Sequence, residues 1–229
     1  MTSLQKWGKS VRTTIPVMAG YLVLGAGFGI LLRTRGYGLG WAFAMSAFIY
    51  AGSMQYVAID LLTGGASLLT TAVTTLLVNA RHLFYGISML ERYRAAGKYA
   101  PYLIFSLTDE TYSLVAARED LTGAECFRIS LLDQLYWVLG TALGSLAGAY
   151  LDFNTTGIDF SLTALFLTVF TEQWLETKDH APALIGLGVS IVCRLLFGAD
   201  SFLLPTMGGM LCCLLVLDAR RTKKGGESV

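Results

Sequence analysis

The feature that most constrains this chain is the recurrence of apolar runs near the roughly 20 residues that an α-helix needs to cross a bilayer core of about 30 Å. They fall at residues 15–32, 41–62, 68–90, 102–117, 129–151, 160–175, 181–197 and 202–217 of 229. The runs at 102–117 and 202–217 are short, and the first of them carries Asp109 and Glu110. This hydropathy reading predicts about seven crossings, within a range of roughly six to eight. Lipid offers the backbone no hydrogen-bond partner, so such runs must form helices. The predicted class is an all-α integral membrane protein with broken or re-entrant segments.

Composition points the same way. Apolar residues make up 54% of the chain and charged residues 14%, against about 25% charged in soluble domains, and the mean hydropathy is +0.57. The 17 basic and 16 acidic residues nearly cancel, which argues against nucleic acid as a partner. There is no G-x-x-x-x-G-K-[ST], H-E-x-x-H or G-x-S-x-G, and the histidines are His82 and His180. No cofactor, metal or enzymatic chemistry is expected. Cys126, Cys193, Cys212 and Cys213 have no C-x-x-C spacing and are expected as small buried hydrophobes. Lys6, Lys9 and Arg12 ahead of an apolar run imitate a secretory signal, but no cleavage site follows, so a retained first span is expected.

The tail residues Arg220, Arg221, Lys223 and Lys224 predict a cytoplasmic C-terminus. Lys6, Lys9 and Arg12 also favour the inside, as do Arg92, Arg94 and Lys98, yet three expected crossings separate those two groups. Either an early segment is broken or re-entrant, or the loop at 92–98 lies outside against the rule.

Internal similarity suggests two structural repeats of about three helices each, as in many secondary transporters. Gly25 and Gly29 match Gly144 and Gly148; residues 53–56 (SMQY) match 171–174 (TEQW); residues 81–84 (RHLF) match 194–197 (RLLF). The expected organisation is one polytopic transport domain over 1–229, with repeat one at 12–90, a linking helix at 101–118, repeat two at 128–198 and a C-terminal helix at 201–218. The glycines at four-residue spacing, including Gly140, are expected to let a neighbouring helix approach closely.

Function is sought where polar groups are expensive, since a charge at mid-bilayer costs on the order of 2.5–3.5 kcal/mol. Three polar faces are predicted: Thr71, Thr75, Asn79 and His82, with Arg81 about 100° round the helix from His82; Tyr102, Ser106, Asp109 and Ser113, with Glu110 adjacent; and Ser46, Tyr50, Ser53 and Asp60. Arg81 suits a carboxylate, or else snorkels or caps a neighbouring helix. His82 reads as a proton carrier or a satisfied core histidine. Two adjacent carboxyls in an apolar helix suit a proton or an ammonium group, unless the segment lies at the interface. Gln55 and Gln173 occupy equivalent places in the two repeats.

These segments resemble the AzlC family of branched-chain amino acid exporters. The resemblance rests on Tyr50-Ala51-Gly52-Ser53-Met54-Gln55-Tyr56, on Leu77-Val78-Asn79-Ala80-Arg81-His82-Leu83-Phe84-Tyr85-Gly86, and on Leu107-Thr108-Asp109-Glu110-Thr111-Tyr112. Family members typically show Y-A-G-S-x-Q-aromatic, N-x-R-H-x-x-Y-G and T-D-E segments in that order. The resemblance implies a bacterial inner-membrane subunit that works with a small AzlD-like membrane protein to expel valine, leucine, isoleucine and similar amino acids. Met54 and Tyr56 stand where relatives often carry Ala and Phe, a change expected to alter the pocket volume.

Joined, these readings predict a substrate site of Ser53, Gln55, Asn79, Arg81, Asp109, Glu110 and Gln173, with His82, Asp109 and Glu110 available for proton coupling. The alternatives are a membrane scaffold or assembly subunit with no substrate pathway of its own, and an intramembrane enzyme built from Asp109, Glu110, Asp133 and His82.

Overall fold

The first apolar run extends on both sides into α1 (Ser3–Thr34), a 32-residue helix about 48 Å long at 1.5 Å per residue. Pro16 lies inside it and removes one helical hydrogen bond. The structure is a computed structural model that describes residues 3–116, 118, 120–150, 160, 163–164, 167, 170–171, 174–175 and 177–226. Among these residues every regular element is helical. The chain divides into two compact units, Met1–Leu162 and Thr163–Val229.

In the first unit α1 is followed by α2 (Leu39–Ala44), which runs into a π-helical turn, Met45–Ile49. Tyr50 then adopts a left-handed conformation at φ 44 and ψ 49, and α3 (Gly52–Thr63) begins. Next come α4 (Leu68–Val78), whose start is capped by Ser67 Oγ accepting from Thr70 N at 3.1 Å, and α5 (Arg81–Ala95). A 3₁₀ turn, Gly97–Tyr99, leads to α6 (Ala100–Phe105), α7 (Asp109–Ala116) and the 28-residue α8 (Gly123–Tyr150). In the second unit α9 (Ala181–Ser201) packs on α10 (Leu203–Gly226), with a break at Gly198, φ 75.

The dominant helix pair of the first unit is α1 against α8. A Cβ on Gly25 would lie 2.9 Å from the Trp137 carbonyl oxygen, and one on Gly140 2.8 Å from the carbonyls of Tyr21 and Leu22. At Gly29 and Gly144 it would collide with the carbonyls of Thr141 and Ala26. The two backbones touch only because these positions lack side chains. Around this seam Tyr21, Phe28, Leu32, Tyr50, Tyr56, Ile59 and Trp137 form one buried cluster. A second, with Met89, Tyr93, Leu103, Val115 and Ile129, holds α5 to α8 together.

Several sequence expectations need correction. The face of Ser46, Tyr50, Ser53 and Asp60 does not exist, because the π turn and the left-handed Tyr50 break the helical register and Asp60 is exposed. The face of Tyr102, Ser106, Asp109 and Ser113 is cut at residues 106–108, between α6 and α7. The face of Thr71, Thr75, Asn79 and His82 is divided as α4 ends at Val78 and α5 starts at Arg81. Cys126 and Cys193 are buried as expected, but Cys212 and Cys213 lie on the open face of α10. Two helices among the described residues are both long and apolar enough to cross a bilayer, Leu4–Thr34 and Ala181–Gly198, because several of the other apolar runs are interrupted.

Candidate functional site

Each interruption starts a new helix, and three of those starts meet. Arg81 is the first residue of α5, Asp109 the first of α7 and Ser53 the second of α3. Arg81 Nη1 lies 2.8 Å from Asp109 Oδ2, and Arg81 Nη2 donates to Ser53 Oγ at 2.8 Å. One guanidinium thereby joins three helix N-termini, using the fixed fork that distinguishes Arg from Lys. The starts of α3 and α5 have no side-chain cap. Within α5, His82 N and Leu83 N already donate to the carbonyls of Asn79 and Ala80 at 2.9 and 3.1 Å, so the fit of the junction to a carboxylate rests on the Arg81 guanidinium and on the positive end of α3.

The junction is braced along α5 and α7. The rings of Tyr85 and Tyr112 stack at 4.4 Å, and Ser88 Oγ donates to the Tyr112 hydroxyl at 3.1 Å. One turn further on, Arg92 donates to the carbonyls of Val115, at 2.6 Å, and Arg118. Arg92 thus caps the C-terminal end of α7, and its charge does more than report which side of a membrane the loop faces.

Beside the junction runs a buried polar thread. Tyr21 OH lies 2.6 Å from Glu110 Oε2 and 2.7 Å from Thr108 Oγ1; Thr108 Oγ1 lies 3.1 Å from Thr111 Oγ1, which lies 2.8 Å from Asp133 Oδ2. Thr108 also accepts from Thr111 N at 3.3 Å, capping α7. Asp133 is fully buried, and its Oδ1 has no hydrogen-bond partner.

The remaining sequence-selected residues are placed differently. Gln55 is fully buried and engaged at both ends: its Oε1 accepts from Trp137 Nε1 at 2.9 Å and its Nε2 donates to Ser46 Oγ at 3.2 Å. Ser46 in turn donates to Thr141 at 2.9 Å, so Gln55 ties α3 to α8. Tyr56 is packed on Phe28, with its hydroxyl donating to the Leu24 carbonyl at 2.7 Å. Asn79 ends α4, and its carbonyl lies 3.1 Å from His82 Nδ1. Asn79 and His82 line an apolar cleft of about 470 Å³ with Leu76, Leu83, Ile104 and Leu107 among its walls. Gln173 lies outside the described residues.

A model of the AzlC protein family matches residues 16–151, well over half of the chain. The chain belongs to the AzlC family. It is 46% identical over 209 residues to the branched-chain amino acid transport protein AzlC of Bacillus subtilis, covering 89% of this chain and 82% of that one. It is 42% identical to an uncharacterised membrane protein of Haemophilus influenzae, over 92% of this chain and 87% of the relative. The inner membrane protein YgaZ of Escherichia coli is 26% identical, over 90% of this chain and 87% of its own length. No solved structure matches.

Three residues outside the predicted substrate site are central to the polar interior of this AzlC-family chain: Tyr21, Trp137 and Asp133, the last of them predicted only as part of the alternative enzyme site. An acid inside the apolar stretch of α8 was a readable signal for Asp133. Tyr21 and Trp137 gave none, since an aromatic residue in an apolar helix is ordinary core material.

Proposed function

We propose that this chain is the larger subunit of a carrier that exports branched-chain and other apolar amino acids across a bacterial inner membrane, acting with a small AzlD-like membrane partner and drawing on the proton gradient. The reading takes its substrate class from the relative named as a branched-chain amino acid transport protein. The observation that carries it is the Arg81–Asp109 ion pair at the junction of three helix starts. An apolar amino acid is a zwitterion with a greasy tail. Its carboxylate replaces Asp109 on Arg81, beside the uncapped start of α3, while its ammonium takes Asp109, with Glu110 alongside. One ion pair is thus exchanged for two, and no charge is left unpaired in a medium that punishes unpaired charge. The side chain enters the cleft walled by Asn79, Ala80 and His82, the sequence neighbours of Arg81.

The broken helices support a transporter architecture, because non-helical backbone at membrane depth is tolerated where it lines protein or a cavity. Within this reading the chain crosses the membrane about seven times as two repeats, with its C-terminus in the cytoplasm. Gln55 acts by holding α3 on α8, and Gln173 is the counterpart of Gln55 in the second repeat.

The deciding experiment is counterflow of labelled leucine in vesicles containing the chain with and without its small partner. Accelerated exchange that is lost in an Arg81→Gln variant of normal abundance is the expected result. Normal flux in a well-folded Asp109→Asn, Glu110→Gln double variant removes the carboxylates from the mechanism. A chemically altered product points to an enzyme, and absence of exchange in the reconstituted pair points to a scaffold.

A further inference from the structure

The thread from Glu110 to Asp133 contains four short oxygen–oxygen contacts, Glu110–Tyr21, Tyr21–Thr108, Thr108–Thr111 and Thr111–Asp133, at 2.6, 2.7, 3.1 and 2.8 Å. Each needs one proton to be a hydrogen bond rather than a repulsion between lone pairs. Tyr21, Thr108 and Thr111 each bring one hydroxyl proton. Three protons cannot fill four contacts, and with both acids ionised one contact is left empty. A single additional proton on either acid fills all four.

We propose that Glu110 and Asp133 share one proton, passed between them along the hydroxyls of Tyr21, Thr108 and Thr111. In the resting arrangement of this scheme the shared proton is assigned to Asp133, which then donates to Thr111, Thr111 to Thr108, Thr108 to Tyr21, and Tyr21 to ionised Glu110. Asp133 is fully buried, with one hydrogen-bonded oxygen and an unpartnered Oδ1, and its carboxylate form has nothing else to compensate it. Glu110 has the Arg81 guanidinium within electrostatic reach. Reversing the chain moves four protons by one link each: Glu110 takes the Tyr21 proton, Tyr21 that of Thr108, Thr108 that of Thr111 and Thr111 that of Asp133. Every hydroxyl is restored, and one proton has been transferred from Asp133 to Glu110.

The charged and titratable groups around the two ends decide where the proton rests. Arg81, Asp109 and the hydroxyls of Tyr21, Tyr50 and Tyr85 surround Glu110, while Tyr50 and Tyr102 face Asp133. The Glu110 end adjoins the Arg81–Asp109 pair and the Asp133 end is buried in α8, so a ligand that pulls Arg81 away from Glu110 draws the proton towards Glu110. This deepens the proton-coupled reading above and rests on that reading only for the link to flux.

The test is the infrared carbonyl stretch of a protonated carboxyl group, recorded at neutral pH on the purified full chain without substrate, so a failed transport assay does not bear on it. The expected result is one such band that disappears in Asp133→Asn, shifts in Glu110→Gln, and no longer responds to Glu110→Gln once Thr108→Val has cut the chain. Absence of the band in the unaltered protein overturns the proposal without recourse to any variant. A band indifferent to both acid substitutions also overturns it, as does a Glu110→Gln shift that survives Thr108→Val.

Discussion

Arg81 holds Asp109 and Ser53 at 2.8 Å each, a two-partner arrangement that a lysine cannot copy. Arg81→Lys is therefore expected to lower the apparent substrate affinity by about tenfold, the effect of losing one charge-assisted bond worth roughly 1.5 kcal/mol, as read by the half-saturating leucine concentration in vesicle counterflow. Ser53→Ala removes the same class of bond from one side only and should lower the melting midpoint in detergent while leaving export detectable. The identity of these residues was legible in the sequence because Arg81, Asp109 and Glu110 are expensive in an apolar setting. Their pairing was not, since it depends on which helix starts come together. Gln55 shows the opposite limit. Its place in a motif suggested a binding role, whereas the structure has both ends of its amide occupied by Trp137 and Ser46.

Helix boundaries were partly readable and partly hidden. Thr108 ahead of Asp109 and Glu110 is an ordinary helix-start pattern, and α7 does begin there, yet the apolar run around it invited one continuous helix. Nothing in residues 45–50 announced a π turn followed by a left-handed tyrosine. The glycine spacing on α1 and α8 was readable, and it leads to a direct contrast. Gly144→Val should force the α1–α8 seam apart, costing about 3 kcal/mol or more and showing as loss of monodisperse protein. Gly86→Ala, at a position open to at least 4 Å, should stay within about 0.5 kcal/mol of the parent. The start of α8 offers a pH test. Thr122 and Glu125 form a reciprocal cap, and the Glu125 carboxyl is held below its ordinary range by hydrogen bonds from the backbone N–H of Thr122 and then from its hydroxyl, with Lys9 at 3.8 Å. A lowered folded value means that this stabilisation is complete above the unfolded value and fades as pH falls through the folded one. Glu125→Gln should therefore lower the melting temperature at neutral pH and converge on the parent only as the pH drops below ~4.

Each unit exposes apolar side chains, Leu62, Leu69 and Ile87 on α3, α4 and α5 of the first and Leu195 and Leu215 on α9 and α10 of the second, as expected of a protein solvated by lipid. Cys212 and Cys213 are exposed on α10 as well. A membrane-permeant maleimide should label them, and an impermeant one should fail in intact vesicles; efficient labelling by both would place this part of α10 in water. The junction itself is electrically silent. Arg81 and Asp109 sum to zero when empty, and a bound zwitterion adds zero again. Moving one elementary charge through 100 mV takes about 2.3 kcal/mol, and neither the loaded nor the vacant pair draws on that quantity. On the proposed proton sharing, voltage acts on the cycle through a proton that enters the Glu110–Asp133 thread from one side of the membrane and leaves it on the other, and current per leucine molecule then counts the protons carried per turnover.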